Sequence, residues 1–111
     1  MSRIKHMVCA ILLFCYVLLG LATEPILVVG HKAPDSDSVA AAIAVASLKT
    51  LLGQPAQAVV QGALNPETRF LLDRYGLAAP AEVQRMAERK VFLIDHSDYP
   101  LAPDDLKSAE I

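Results

Sequence analysis

The chain has 111 residues, of which 54% are hydrophobic, and its formal net charge is −2 at pH 7. This length limits it to one domain at most, and the mildly acidic balance excludes the basic footprint of nucleic-acid-binding proteins. Its two cysteines, Cys9 and Cys15, both lie near the N-terminus. The rest of the chain therefore has no disulfide, no CxxC redox motif and no thiolate zinc site.

The N-terminal segment has the organisation of a targeting leader. Arg3 and Lys5 precede an uncharged apolar run over residues 7–22. This run is short for a transmembrane helix and suits the hydrophobic region of a signal peptide. Gly20 and Ala22 provide the small-x-small pattern of a cleavage site.

Cleavage before Thr23 would leave 89 residues with a formal charge of −4. We therefore divide the chain into a leader at 1–22, either a signal peptide or a membrane leader, and a domain at 23–111. The alternative is an upstream start codon, with the natural chain beginning near Glu24.

The domain alternates apolar strand patterns with helical patterns. Ile26–Val29 is an unbroken apolar run, typical of a strand that is covered on both faces. The order of elements predicts an α/β domain with a mostly parallel sheet and right-handed crossovers, part of a doubly wound fold. The predicted elements are strands at 26–29, 57–61 and 91–94, and helices at 38–52, 66–75, 81–89 and 103–110.

Capping residues mark the ends of the first two domain helices. Ser36 or Asp37 is available as the N-cap of the first helix, and Gly53 follows its end. Asn65 is the predicted cap of the second helix, with Pro66 in its first position.

Acidic residues and a histidine follow two of the three strands. His31, Asp35 and Asp37 come after the first strand, and Asp95 comes after the third. Ligand sites in open α/β sheets lie beyond the carboxyl ends of the strands, so these side chains converge if the two strands are neighbours. One His with several Asp and no Cys favours Mg²⁺ or Mn²⁺ over structural zinc. Two such ions about 3.5 to 4 Å apart would activate water and clamp a phosphate.

Each motif also has a purely structural interpretation. Residues 35–38, Asp-Ser-Asp-Ser, are the types that cap helices, and residues 95–98 can form an ordinary turn after a strand. Lys32 is better explained as a solvated lysine than as an anion contact. The joint placement of the two motifs at strand ends favours a site.

The same residues resemble a known family. "ILVVGHKAPDSDS", residues 26–38, is similar to the opening segment of the manganese-dependent inorganic pyrophosphatases, family II of the DHH phosphoesterase superfamily. "LNPETRFLLDRYG" and "VFLIDHSDYP" resemble that family's next two segments, in the same order. The similarity covers residues 25–111. It implies a cytoplasmic enzyme that hydrolyses pyrophosphate at two Mn²⁺ ions, with Mg²⁺ accompanying the substrate.

Motif position implies a role for each candidate residue. By the resemblance, His31 and Asp35 bind the first Mn²⁺, Asp37 binds the second, and Asp95 bridges them, so that Asp37 and Asp95 act in catalysis through the metals. His96 would lie outside the ligand set. No residue is expected to bind an organic cofactor.

The family continues into an Asp-His-His motif and a C-terminal domain whose basic residues bind pyrophosphate, and this chain stops before both. The resemblance thus implies a truncated N-terminal portion of a DHH domain, with one nearly complete metal site and half of another. We expect little or no turnover from residues 23–111 alone.

Two other functions stay open at this point. One is a different DHH phosphoesterase, acting on polyphosphate or short oligonucleotides. The other is a non-catalytic metal-binding protein, exported or tethered to a membrane if the leader is used. The resemblance also allows a homodimer formed through a sheet edge.

Overall fold

A computed structural model describes residues 1–20, 23–96, 100 and 102–111 of the chain. The predicted cleavage residue Ala22 and the predicted turn residues 97 and 98 lie outside this part. The helices are α1 (Ser2–Gly20), α2 (Ser36–Leu51) and α3 (Pro66–Arg74), and the strands are β1 (Ile26–Val29), β2 (Ala56–Val60), β3 (Ala81–Glu82) and β4 (Val91–Leu93). A 3₁₀ turn covers Leu106–Ser108.

Helix α1 contains most of the predicted leader. Large apolar side chains in the part of α1 before residue 16 are exposed, among them Ile11, Leu12 and Phe14. Over the described ranges of the chain, no helix combines the length and the apolar character needed to cross a bilayer. The division of the chain at residue 22 stays a prediction.

Four parallel strands form the sheet, in the order β3-β2-β1-β4. β1 lies between two partners, with Val28 opposite Ala58 on β2 and opposite Phe92 on β4. From β1 the chain moves outward to β2 and β3, and it then returns to the other side of β1 as β4. The direction of strand order therefore reverses between β1 and β4. The predicted α/β class and parallel sheet are confirmed.

Strand β1 is buried on both faces, as its unbroken apolar sequence predicts. Val28 packs against Ala42 of α2, and the small side chain lets the helix lie close to the sheet. Leu27 and Val29 point to the opposite face, where they cluster with Met86, which is only 1% exposed. The end of β1 is therefore fixed between two packed layers.

The segment 81–89 does not form the predicted helix. It begins as β3, which pairs in parallel with β2. The backbone N–H groups of Met86 and Ala87 donate to the carboxylate of Asp105, at 2.7 and 2.6 Å. The spacing of Val83 and Met86 predicted one face of a helix. In the structure both side chains pack against the sheet, Met86 fully buried and Val83 partly buried.

The prediction of a helix at 103–110 is also wrong, because only the single 3₁₀ turn forms there. Beyond it the chain is extended, and Glu110 forms a parallel bridge to Lys90. The Val91 N–H donates to the Glu110 carbonyl at 2.8 Å. Backbone hydrogen bonds at the edge of the sheet replace those of a helix. Strand β2 lies one residue earlier than predicted.

Candidate metal centre

The carboxyl ends of β1 and β4 lie side by side. Val29 is opposite Leu93, and the Ile94 N–H donates to the Val29 carbonyl at 3.0 Å. Strand order reverses between these two strands, which is where open α/β sheets form their ligand crevice. The loops that follow them carry His31 and Asp95. The condition set by the sequence, that these strands are neighbours, is therefore met.

Three side chains that could hold a metal ion meet at this point: His31, Asp35 and Asp95. One ligand atom from each lies within 4.8 Å of the other two. His31 Nε2 is 3.6 Å from Asp35 Oδ1 and 3.6 Å from Asp95 Oδ2. These distances are too long for direct hydrogen bonds, and they match the separations of about 3 to 4 Å between ligand atoms around a cation bonded at about 2.1 Å.

The imidazole of His31 is held by the backbone. Its Nδ1 lies 2.6 Å from the carbonyl oxygen of Lys32. Because a carbonyl can only accept, Nδ1 carries the proton and donates it. In the neutral ring, Nε2 is then the nitrogen with the lone pair, and it faces both carboxylates. A ring N–H held by a backbone carbonyl is typical of metal-binding histidines.

Asp35 caps helix α2 and also belongs to the group of three potential metal ligands. Its Oδ1 accepts from the Ser38 N–H at 2.9 Å, so the predicted N-cap, Ser36 or Asp37, is wrong and α2 begins two residues earlier than predicted. The Ser36 hydroxyl instead lies 2.9 Å from the hydroxyl of Thr68 on α3. The structural and the metal-binding interpretations of this motif are thus compatible, because the cap orients the carboxylate.

Two residues in the loops of the centre have left-handed backbone conformations. Ala33 has φ 53° and Asp95 has φ 50°. Such conformations cost on the order of 1–3 kcal/mol, although Asp tolerates them better than most residues. Strain of this kind persists where the surroundings impose it, and it concentrates at ligand sites. Glu88, outside the centre, also has a positive φ of 62°, so left-handed backbone accompanies the centre but is not confined to it.

Gly30 permits the close approach of α2 to the end of β1. A Cβ atom at Gly30 would lie 1.7 Å from Ser38 Oγ. The Gly30 carbonyl also accepts a hydrogen bond from Gln61 Nε2 at 2.7 Å. Sequence reasoning missed both residues as parts of the site. Only the position of Gly30 at the end of a strand offered a signal, and Gln61 offered none.

The structure does not place Asp37 in the three-residue group. Asp37 is exposed in the first turn of α2, where a negative charge also stabilises the helix N-terminus. Its role as a ligand of a second ion stays a prediction. His96 is held through Nδ1, which donates to the Ile94 carbonyl at 2.6 Å, and its Nε2 is buried with no hydrogen-bond partner among the residues described.

The family model described as "DHH family, N-terminal domain" matches residues 25–110. The manganese-dependent inorganic pyrophosphatase of Methanothrix thermoacetophila is 41% identical over 92 residues, covering 79% of this chain and 29% of that protein. The "Probable manganese-dependent inorganic pyrophosphatase" of Streptococcus mutans is 42% identical over 89 residues, covering 78% and 29%. The chain thus spans just over a quarter of the length of these relatives.

A solved structure supports the same assignment. The Methanococcus jannaschii crystal structure described as a "putative family II inorganic pyrophosphatase" aligns with a TM-score of 0.68 at 35% identity. The alignment covers 75% of this chain and 26% of that one. The resemblance read from three sequence motifs is thereby confirmed, and this chain belongs to the DHH family.

Proposed function

We propose that His31, Asp35 and Asp95 bind Mn²⁺, and that this centre serves the hydrolysis of pyrophosphate to two phosphates. The observation that carries the proposal is the convergence of three ligand atoms within 4.8 Å at the ends of β1 and β4. The choice of ion and substrate is supported by relatives named manganese-dependent inorganic pyrophosphatases.

The donor set suits this ion. Two carboxylates and one imidazole nitrogen offer hard oxygen ligands and one nitrogen of intermediate softness, a combination that Mn²⁺ accepts. The two negative charges balance a divalent cation. The His31 ring is already held in the tautomer that leaves Nε2 free to coordinate.

When bound, a divalent cation supplies positive charge to phosphate oxygens and makes water more acidic. The residues of this chain would hold and orient it: His31 through the Lys32 carbonyl, Asp35 through its cap on α2, and Asp95 through its position two residues beyond the end of β4. In the reaction, the water oxygen bonds to one phosphorus, the bridging P–O bond of the anhydride breaks, and the second phosphate leaves with its electron pair. The protons of the attacking water pass to the phosphate products or to solvent. By the resemblance, Asp37 would bind a second ion that Asp95 shares.

The described part of the chain contains one group of three metal-binding side chains. Because the reaction inferred from the family uses two ions, we expect the 111-residue chain to bind Mn²⁺ and to release phosphate slowly or not at all. The rate of phosphate release by the chain is compared with the rate in the same Mn²⁺-containing buffer without protein. A rate well above this background that Asp95→Asn abolishes would contradict the expectation of low turnover.

Metal binding is tested by electron paramagnetic resonance of free Mn²⁺ during titration with the full chain. Asp95→Asn should weaken binding about tenfold or more. Asp73→Asn makes the same change of charge at an exposed position on α3, outside the metal-binding group, and should bind as the unmodified chain does. Equal affinities for the two variants would overturn the proposed centre.

The substrate is tested separately, through the ³¹P signal of pyrophosphate added to the Mn²⁺-loaded chain. Paramagnetic broadening that Asp95→Asn removes would support pyrophosphate as the ligand. Stronger broadening of a short oligonucleotide than of pyrophosphate would contradict the assignment and favour another DHH phosphoesterase.

We also propose that residues 1–22 act in targeting. The support is the order of charged and then apolar residues, together with the exposure of apolar side chains between Ile4 and Phe14. N-terminal sequencing of the protein isolated from its native cells should begin at Thr23. Retention of Met1 would contradict cleavage, and it would leave a tethered leader or the cytoplasmic location implied by the resemblance.

A further inference from the structure

An ion pair joins the loop that holds His31 to a distant segment of the chain. Lys32 Nζ lies 2.5 Å from Asp104 Oδ1. On one side of this contact, the backbone carbonyl of the same lysine accepts the His31 Nδ1–H. On the other side, Asp104 belongs to a segment, residues 102–106, that is well anchored in the fold. Its buried residues are Ala102, Pro103 and Leu106.

The anchoring of this segment is reinforced by the residue after Asp104. The Asp105 carboxylate accepts the backbone N–H groups of Met86 and Ala87. Met86 in turn is packed into the cluster that contains Val29 of β1. The segment that carries Asp104 is therefore connected, through Asp105 and Met86, to strand β1, which leads into the metal centre.

The loop on the Lys32 side needs such support. Ala33 follows directly with φ 53°, a strained conformation for alanine, and Pro34 is buried. We propose that the Lys32–Asp104 ion pair positions this loop so that the Lys32 carbonyl holds the His31 ring with Nε2 facing Asp35 and Asp95. This inference rests on the proposed metal-binding function.

Lys32 and Asp104 act here as positioning residues and contact neither the ion nor the substrate. The Lys32 side chain is 34% exposed and that of Asp104 is 93% exposed. Exposed ion pairs contribute little free energy on their own. Losing this pair should therefore weaken Mn²⁺ binding by only about two- to fivefold.

The Mn²⁺ affinity of Lys32→Met distinguishes a positioning role of Lys32 from the effect of its positive charge on the ion. If Lys32 acted only as a nearby positive charge, its removal would reduce repulsion of Mn²⁺ and tighten binding. If it positions His31, binding weakens despite the loss of a positive charge. Lys32→Arg keeps the charge and the reach to Asp104, and should retain the affinity of the unmodified chain.

The matched control is Lys90→Met. Lys90 pairs with Glu110 at 3.4 Å, and its removal makes the same change of charge at the start of β4, the end opposite the metal centre. This variant should bind Mn²⁺ as tightly as the unmodified chain, or slightly more tightly. Thermal unfolding checks that each variant folds, and Lys32→Gln replaces Lys32→Met if the latter does not.

A second measurement needs no metal. Long-range ¹H–¹⁵N spectra of the metal-free chain report which nitrogen of His31 carries the proton. Protonation at Nδ1 is expected in the unmodified chain and in Lys32→Arg, and a mixture of tautomers in Lys32→Met. Unchanged or tighter Mn²⁺ binding by Lys32→Met, with an unchanged tautomer, would overturn the positioning role. Failure of the unmodified chain to bind Mn²⁺ would instead overturn the proposed function.

Discussion

Asp95 Oδ2 and His31 Nε2 lie 3.6 Å apart although they follow strands β4 and β1, which are more than 60 residues apart in the chain. The contact exists because β1 and β4 are parallel neighbours whose carboxyl ends meet at one edge of the sheet. Both side chains depend on backbone features of that edge, the left-handed φ of Asp95 and the Lys32 carbonyl that holds the His31 ring. The strand pairing is therefore what assembles the candidate metal centre.

The two roles of Asp35 can be separated by substitution. Asp35→Asn keeps an oxygen that can accept the Ser38 N–H, because Asn caps helices about as well as Asp. We expect its free energy of unfolding to stay nearly unchanged while Mn²⁺ binding weakens. Asp35→Ala should lose about 1 kcal/mol of stability as well. Urea unfolding and Mn²⁺ titration of both variants check this, and equal stability losses would argue against the cap.

Gly30→Ala should destabilise the domain. The added Cβ would lie 1.7 Å from Ser38 Oγ and 3.0 Å from Ser38 Cβ, so the buried Ser38 side chain must rotate or α2 must shift slightly from β1. Overpacking of this kind costs about 1–3 kcal/mol, which urea unfolding measures. Adding Ser38→Ala removes the closest contact and should recover part of the loss. A Gly30→Ala variant as stable as the unmodified chain would contradict the close approach.

Asp105 should make the stability of the fold sensitive to acid. Burial raises the pKa of the Asp105 carboxyl, but hydrogen bonds from the Ala87 and Met86 N–H groups outweigh it and leave the pKa below its ordinary value. The folded state therefore favours the ionised carboxylate. Its contribution to stability is complete above the pKa of the unfolded chain, about 3.9, and is lost as pH falls through the lower pKa of the folded state.

The test of this dependence is urea unfolding over a series of acidic pH values. Asp105→Asn should be less stable at neutral pH and should lose less stability on acidification than the unmodified chain. Asp104→Asn, the same change at the exposed neighbouring residue, should leave most of the acid sensitivity in place. The same pH profile for Asp105→Asn and the unmodified chain would refute the role of this carboxylate.

The hydroxyl pair between α2 and α3 should contribute to stability. Thr68 is buried, and its hydroxyl lies 2.9 Å from that of Ser36. Thr68→Val keeps the shape of the side chain but removes the hydrogen bond, and we expect a loss of about 1–3 kcal/mol because the half-buried Ser36 hydroxyl loses its partner. Thr68→Ser retains the hydroxyl and serves as the control. A loss confined to Thr68→Ser would mean that packing of the methyl group dominates.

Local features predicted part of the fold correctly. The bounds of β1 agree with its apolar run, and Asn65 and Pro66 begin α3 as cap and first residue. These predictions succeed because the interactions involved span only a few residues. The segment 81–89 was predicted wrongly because its backbone donors are satisfied by Asp105, which lies outside any local window.

The amino-acid sequence predicts the alternation of strands and helices, the apolar character of β1, and a cluster of His and Asp residues after two of the strands. It predicts His31, Asp35, Asp37 and Asp95 as metal ligands on the same grounds. The folded chain, and not its local sequence, shows that β4 pairs with β1, that Asp35 is the cap of α2, and that Asp37 lies outside the three-residue group. Propensity and periodicity act between near neighbours in the chain, whereas strand order and the distances between ligand atoms depend on which distant surfaces pack together.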